Sequence, residues 1–191
     1  MKKILIILFL LLGLTTSISA EIKRIVSGDN NAKITIIAYE SLTCSHCADF
    51  HKNVYPQLKK EYIDTGLAKI EFRHFPLDLA ALNASKIVQC NKDQGLEILE
   101  SLYSSQHVWI KGDNIEEINI NLKKFIENQD YNIDFEKCIS NKKIEDFILN
   151  DRIDATKNFK VNATPTIIIN NKKFEKSLNY KNLKKSLEKL I

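Results

Sequence analysis

Residues 34–40 (ITIIAYE) form a short apolar run rich in β-branched side chains, and this pattern predicts a buried strand. Residues 68–75 alternate between apolar and polar side chains, which predicts a second strand. Between them, apolar residues recur at helical spacing from Ser45 to Tyr62, and Pro56 should kink that helix. The order strand, helix, strand is typical of a parallel crossover unit.

The middle of the chain has helical spacing and no strand alternation. We predict three helical regions with two breaks there: residues 80–103, 115–126 and 144–159, broken near Gly95 and Gly112. This stretch separates the first two strands from everything that follows.

The end of the chain returns to strand patterns. Residues 166–170 and 172–175 predict two strands joined by a tight turn, and residues 179–190 predict an amphipathic helix. The sequence therefore predicts one α/β domain over residues 21–191, with a helical insertion at about residues 78–150.

Residues 1–20 have the layout of a secretory signal peptide: a basic start, an apolar run over residues 4–14, and the small residue Ala20 before the predicted cleavage site. The apolar run is too short to cross a bilayer, which takes about 20 residues. An uncleaved amino-terminal anchor is the alternative. An exported chain meets oxidising conditions, so its cysteines are expected to form disulfides.

The charge of the chain does not indicate a particular partner. The sequence has 28 Lys and Arg against 24 Asp and Glu, a net charge of +4. The lysines are spread along predicted helices, as in KNLKKSLEKL, which is typical of solvated faces. Because no basic stripe is formed, we expect no nucleic-acid partner.

The motif Cys44-Ser45-His46-Cys47 lies where the first predicted strand meets the first helix. There, free backbone N–H groups and the helix dipole favour a thiolate on Cys44, and His46 adds a donor or a positive charge. A stabilised thiolate makes the disulfide form an oxidant. We therefore predict that a thiolate of a substrate protein, called the client, attacks Cys44. Cys47, one helical turn further, is then the buried partner of Cys44.

Three other interpretations of the cysteine motif stay open. Cys44, Cys47 and His51 can share one face of a helix and bind a metal, although a fourth ligand is then needed. The motif can also be an inert structural disulfide. Two free thiols are the third alternative, and they are unusual in an exported chain.

A proline, Pro165, directly precedes the strand predicted at residue 166, and Thr164 comes before it. Proline is unusual in a sheet-forming region, and X–Pro bonds adopt the cis form more readily than other peptide bonds. A trans proline at the start of a strand is the commoner alternative. With a Cys-x-x-Cys motif at a strand–helix junction, however, the pattern points to thiol–disulfide chemistry.

Together these motifs resemble the DsbA-type thiol:disulfide oxidoreductases. The Cys-x-x-Cys motif, the strand before it, Phe50 and residues 163–166 (ATPT) carry the resemblance. The stretches YIDTG, FRHFPLD and ALNASKIVQC are similar to α-proteobacterial members. The resemblance covers essentially the whole chain after the signal peptide, and it implies a thioredoxin fold with an inserted helical domain.

The resemblance also implies roles for individual residues. Cys44 is then the exposed redox thiol, Cys47 the resolving thiol, and His46 stabilises the thiolate. Thr164 and Pro165 then face the cysteines and dock the substrate peptide through backbone hydrogen bonds.

Two positions depart from the family pattern. Ser45 stands where many relatives have proline, so the reduction potential is expected to differ. Many relatives have a buried acid six residues before the first cysteine, where this chain has Ala38. Glu40 lies on the same strand face, and we hypothesise that it replaces that acid as the proton acceptor for Cys47. A surface glutamate at the strand end is the alternative.

Cys90 and Cys138 lie in the predicted helical region, away from other cysteines and histidines. We predict a structural disulfide between two helices. The alternatives are a disulfide that tunes the active-site potential from a distance, or two buried free thiols.

The remaining histidines carry weaker predictions. His74 is expected to pack on its strand, and His107 to lie with Trp109 in a loop between helices. His51 is expected one turn from the active site, adding positive potential. None of the three is predicted to be catalytic.

The chain is therefore expected to be an exported dithiol oxidase that introduces disulfides into secreted proteins. Family resemblance implies reduced secreted clients and a DsbB-type membrane reoxidase as partners, with no metal or organic cofactor. We expect a monomer in the periplasm. A disulfide isomerase or reductase is the alternative within the class, although such isomerases usually have an amino-terminal dimerisation domain and only residues 21–32 precede the first predicted strand. A periplasmic metal-binding module is the alternative from another class.

Overall fold

The computed structural model describes residues 22–91 and 93–191, and the predicted signal peptide at residues 1–20 lies outside them. Within this part of the chain, five strands form one mixed sheet in the order β1-β3-β2-β4-β5. The strands are β1 (Ile25–Ser27), β2 (Ile34–Glu40), β3 (Ala68–His74), β4 (Thr166–Ile169) and β5 (Lys172–Lys173).

The centre of the sheet is the predicted parallel pair, β2 with β3, in which Ile36 lies opposite Ile70. Strand β4 runs antiparallel on the other side of β2. The Asn170-Asn171 turn then returns the chain into β5, and both asparagines have positive φ, as a tight hairpin requires. Strand β1, which the sequence pattern does not predict, adds antiparallel to the outer edge of β3.

Helices cover both faces of the sheet. They are α1 (Ser45–Asn53), α2 (Tyr55–Leu58), α3 (Leu79–Cys90), α4 (Gly95–Ser104), α5 (Gln106–Trp109), α6 (Ile115–Glu127), α7 (Phe135–Ile139), α8 (Lys142–Phe159) and α9 (Tyr180–Leu187). Helices α3 to α8 follow β3 and precede β4 in the chain. None of the helices in the described residues is long and apolar enough to cross a membrane.

The helix after the cysteines is interrupted, as Pro56 leads one to expect. Helix α1 ends at Asn53, Val54 leaves helical geometry with φ −114° and ψ −51°, and α2 begins at Tyr55. The proline ring excludes the carbonyl of the preceding turn, which separates the two helices. The chain then widens into a π-helical turn over Lys59–Ile63.

The helical region differs from the sequence pattern in two places. Trp109 was expected in a loop, but it belongs to the short helix α5 and is fully buried, with its indole N–H donating to the Leu102 carbonyl at 2.9 Å. Helix α7 has only five residues, and no helix is predicted there. Both are single turns, and segments of this length show no periodicity.

Side chains alternate between two apolar clusters along the central strands. Ile36 and Ala38 of β2 belong to the larger cluster, which α1 and the inserted helices cover. Ile37 and Tyr39 point to a smaller cluster with Ala155 of α8. Glu40 comes two residues after Ala38 and therefore lies on the same face as α1 and the cysteines.

Candidate active site

The cysteine motif lies at the junction of β2 and α1. Cys44 is the N-cap residue of α1, and its carbonyl accepts the backbone N–H groups of Cys47 at 3.1 Å and Ala48 at 3.2 Å. Both cysteines are free thiols; Cys44 is half-buried and Cys47 is 0% exposed. The first turn of α1 has no acidic side chain to oppose a negative charge on Cys44. The geometry therefore distinguishes a reachable sulfur from an enclosed one.

Ser45 and His46 are exposed on the first turn of the helix. Their side chains are therefore open to solvent one and two residues after Cys44.

The Thr164-Pro165 segment meets the cysteines from the other end of the domain. The peptide bond before Pro165 is cis, and the Cys44 thiol donates to the Thr164 carbonyl at 3.4 Å, although the two residues are 120 positions apart. Both Thr164 and Pro165 are half-buried, so an approaching peptide can reach their backbone. The structure thus brings together the two motifs that the sequence separates.

The loop between β2 and α1 is braced by residues that sequence reasoning missed. Gln106 of α5 donates through Nε2 to the carbonyls of Leu42, at 2.7 Å, and Cys44, at 3.1 Å. The Thr43 hydroxyl donates to Asp78, the N-cap of α3, at 2.7 Å. A polar residue in a segment interpreted as a loop gives no sequence signal for such a contact. The inserted helices thereby fix the backbone on which Cys44 lies.

Glu40 is 3% exposed, so the alternative of a surface glutamate at the strand end is wrong. Its Oε2 is 2.8 Å from Nε2 of His51, and its Oε1 is buried without a hydrogen-bond partner. Because a buried carboxylate is stable only when it is paired, His51 is the group that allows Glu40 to lie here.

His51 makes more contacts at the candidate site than the sequence suggests. Its side chain is 6% exposed, and its ring stacks on Tyr103 of α4 with a centroid separation of 4.2 Å. The ring of Phe72 lies 5.1 Å away, on β3. The contact with Glu40 joins a strand end to the seventh residue of the next helix. No spacing rule along the chain predicts that contact.

Burial raises the pKa of the Cys47 thiol, and the neighbouring Glu40 charge raises it further. Burial and then the same charge also hold the pKa of Tyr103 well above its usual range. His74 lies opposite Glu40 in the β2–β3 register, and its burial lowers its pKa to about 4. Cys47 therefore keeps its proton until a specific group accepts it.

The three donors of the metal-binding alternative do not form a cluster. Among the described residues, no group of three or more His, Cys, Asp or Glu side chains is placed to hold a metal ion. His51 instead directs its Nε2 to Glu40.

Cys90 and Cys138 are joined by a disulfide that connects α3 to α7, with a Cα–Cα separation of 5.7 Å. Cys138 is 2% exposed, and both sulfurs pack against the larger apolar cluster. The bond closes a loop between residues 48 positions apart. It lies within the inserted helices.

Comparison with known proteins places this architecture. Residues 20–189 match the family model described as Thioredoxin. The solved structure of alpha-DsbA1 from Wolbachia pipientis is 31% identical, with a TM-score of 0.77 over 87% of this chain and 90% of that one.

Curated relatives agree with this placement. Disulfide bond formation protein D of Bacillus subtilis is 25% identical over 174 residues, covering 86% of this chain and 75% of that protein. A Rickettsia bellii protein, provisionally named protein-disulfide oxidoreductase, is 28% identical over 149 residues. The chain spans only 56% to 61% of the length of this protein and its counterparts in Rickettsia typhi and Rickettsia prowazekii. With the thioredoxin model matched over nearly its whole length, the chain belongs to the thioredoxin family and has the DsbA-type form of its fold.

Proposed function

We propose that this protein is a thiol:disulfide oxidoreductase that oxidises pairs of client thiols through Cys44 and Cys47. The observation that carries the proposal is the geometry of Cys44. Its sulfur lies at a helix N-terminus, 3.4 Å from the Thr164 carbonyl, with Cys47 enclosed behind it. Relatives named for disulfide formation or as protein-disulfide oxidoreductases support the assignment.

The exchange has two steps. A client thiolate attacks the Cys44 sulfur of the oxidised enzyme, forming a mixed disulfide, and Cys47 leaves as a thiolate that takes up a proton. The second client thiolate then attacks the client sulfur of the mixed disulfide and expels Cys44 as a thiolate. The client loses two electrons and the enzyme gains them, giving the dithiol form seen in the structure.

The direction toward oxidation follows from the stability of the leaving group. Backbone N–H groups and the dipole of α1 favour the Cys44 thiolate, with His46 on the same turn. Stabilising the reduced form raises the reduction potential, so the disulfide form is the stronger oxidant. In this proposal Glu40 exchanges the proton of Cys47 in both directions.

Client recognition is assigned to the backbone of Thr164 and Pro165. An extended peptide that binds main chain to main chain is recognised without regard to most of its side chains. The clients are reduced exported proteins, and two electrons pass on to a DsbB-type membrane reoxidase. Export through residues 1–20, action as a periplasmic monomer, and a structural role for Cys90 and Cys138 belong to the same proposal.

The test is the redox equilibrium of the Cys44–Cys47 pair in glutathione buffers, with Cys44→Ser as the control that forms no pair. An oxidase is expected to equilibrate above about −200 mV, far from the roughly −300 mV of structural disulfides. A value near about −270 mV, which is typical of thioredoxin, would contradict the oxidase and favour a reductase.

A further inference from the structure

A buried contact between a glutamate and a histidine lies close to Cys47. Glu40 and His51 have side-chain exposures of 3% and 6%, and their facing atoms Oε2 and Nε2 are 2.8 Å apart. Each side chain keeps one more buried polar atom without a partner, Oε1 of Glu40 and Nδ1 of His51. Two unsatisfied atoms in one contact are unusual in a protein interior, where polar atoms are normally satisfied.

The groups around the pair favour proton exchange at this point. The titratable groups that face it or the adjoining groove are Cys44, Cys47, Asp49 and Lys52 of α1, Tyr55 of α2, Lys59 in the π-helical turn, His74 of β3, Glu97, Glu100 and Tyr103 of α4, and Tyr131. Burial raises the pKa of Tyr55 to about 12, holds that of Tyr103 well above its usual range, and lowers the pKa of His74 to about 4. These three groups are therefore neutral near pH 7. Glu40 is the carboxylate whose charge acts on Cys47.

We propose that His51 is a positioning residue for thiol exchange: it holds the Glu40 carboxylate so that the free oxygen can exchange a proton with Cys47, and it shares that proton within the pair. The inference rests on the proposed function, because it concerns the same two thiols. It goes further by assigning to His51 the task of holding the glutamate that carries out the proton step.

The proton balance is simple in this arrangement. When the two cysteines form a disulfide, the Glu40–His51 pair holds one extra proton. The reference is a Glu40 carboxylate beside a neutral His51 imidazole. When a client displaces Cys47 as a thiolate, the proton passes from Glu40 to the Cys47 sulfur, and the pair is left as carboxylate and neutral imidazole. On reoxidation Cys47 returns the proton to Glu40 as its sulfur attacks the mixed disulfide at Cys44.

A groove adjoins the pair on the side of α4. His51 lines a groove of about 890 Å³ between α1–α2 and α4, together with Tyr55 and Tyr103. Neither Cys44 nor Thr164 lines that groove. The groove therefore lies apart from the face on which a client is proposed to dock.

The experiment isolates the step in which Cys47 loses its proton. Reduced protein is mixed with excess glutathione disulfide and quenched in acid. The mixed disulfide between Cys44 and glutathione is then followed by mass spectrometry from pH 4 to 9. Its decay measures the attack by Cys47, whereas its formation measures Cys44 alone.

His51→Phe keeps an aromatic ring on Tyr103 but removes both nitrogens, and His51→Gln keeps an N–H donor that does not titrate. We expect His51→Phe to slow the decay about 10-fold at pH 7 and to move its pH inflection. Glu40→Gln should slow the decay more, by about 100-fold relative to the wild type. His51→Gln should recover most of the rate and should lack the contribution of the imidazole to the inflection. Formation of the mixed disulfide should be unchanged in all three.

Exposed His107 provides the matched control, since His107→Phe should leave both steps as in the wild type. A decay in His51→Phe with the wild-type rate and inflection would overturn the proposal, and so would His51→Gln being as slow as His51→Phe. If His51→Phe does not fold because it leaves the Glu40 carboxylate without a partner, the double variant Glu40→Gln with His51→Phe decides. It should be no slower than Glu40→Gln alone, and an additive loss would show that His51 does not act through Glu40. Absence of exchange in the wild type would instead overturn the proposed function.

Discussion

The protein holds two cysteine pairs whose positions on their helices are opposite. Cys44 lies at the N-terminus of α1, where backbone N–H groups are free, while Cys90 is the last residue of α3, where carbonyls are free. The helix dipole favours a thiolate at the first position and disfavours one at the second. The proposed function uses this difference, because it assigns the role of leaving group to Cys44 and none to Cys90.

The surroundings extend the contrast. Cys44 and Cys47 are thiols close to the buried Glu40–His51 contact and the half-buried Thr164-Pro165 segment. Cys90 and Cys138 form a closed bond packed against apolar side chains. The two pairs thus differ in their positions relative to helix ends, polar partners and solvent, and the roles proposed for them rest on that difference.

Removing the closed pair should give the largest effect on stability. In Cys90→Ala with Cys138→Ala, the loop of 48 residues is no longer closed, and the free energy of unfolding should fall by about 3–4 kcal/mol. Chemical denaturation of both proteins measures the difference. The potential of the Cys44–Cys47 pair should stay the same. A shifted potential with little loss of stability would reverse the assignment and favour a tuning role for the second disulfide.

The sequence predicts those features of the two cysteine pairs that depend on residues close together in the chain. The run ITIIAYE, the Cys-x-x-Cys motif and the Thr-Pro dipeptide each carry their signal within a few residues, and the family resemblance joins them. Strand β1 and helix α7 have three and five residues, too few for a period to emerge. These two short elements form because of their contacts with the rest of the fold, and the preferences of their own residues do not predict them.

The contact between Glu40 and His51 was only half predictable from the sequence. Glu40 follows from the two-residue period of a strand, because it shares a face with Ala38. Its partner does not, since the ring of His51 reaches Glu40 only after α1 folds back over β2 and Tyr103 of α4 packs on it. The same holds for Gln106, whose contacts span 62 and 64 residues.

His74 lies near both cysteine pairs, and its protonation should change the free energy of unfolding by nearly as much as loss of the disulfide. It lies opposite Glu40 on β3 and contacts Gln89, next to Cys90, at 3.2 Å. Because burial lowers its pKa to about 4, the unfolded chain binds a proton between pH 4 and 6.5 that the folded protein does not. Folding stability should therefore fall as the pH drops through that range, by about 3 kcal/mol from this group.

The measurement compares the free energies of unfolding at pH 7 and pH 4 for the wild type and His74→Gln. The variant should lose about 3 kcal/mol less between the two conditions, whatever its stability at pH 7. An equal loss in both proteins would mean that another group near the two pairs takes up the proton.

The smallest expected effect tests whether a neighbouring inserted helix, α5, supports the backbone of the Cys44–Cys47 pair. Gln106 of α5 donates to the carbonyls of Leu42 and Cys44, so Gln106→Leu removes two hydrogen bonds at similar side-chain volume. We expect a loss of about 1–2 kcal/mol in the free energy of unfolding. Alkylation of Cys44 should also slow a few-fold at neutral pH, because a looser first turn of α1 stabilises the thiolate less well.

Gln57→Leu is the matched control, since Gln57 is exposed and donates only to Asn53 one turn earlier. It should change stability by no more than about 0.5 kcal/mol and leave Cys44 alkylation unaltered. If Gln106→Leu lowers stability but alkylation keeps the wild-type rate, the brace is purely structural. A slowed reaction would show that α5, one of the inserted helices, holds the backbone on which the Cys44 thiolate forms, through the two hydrogen bonds of Gln106.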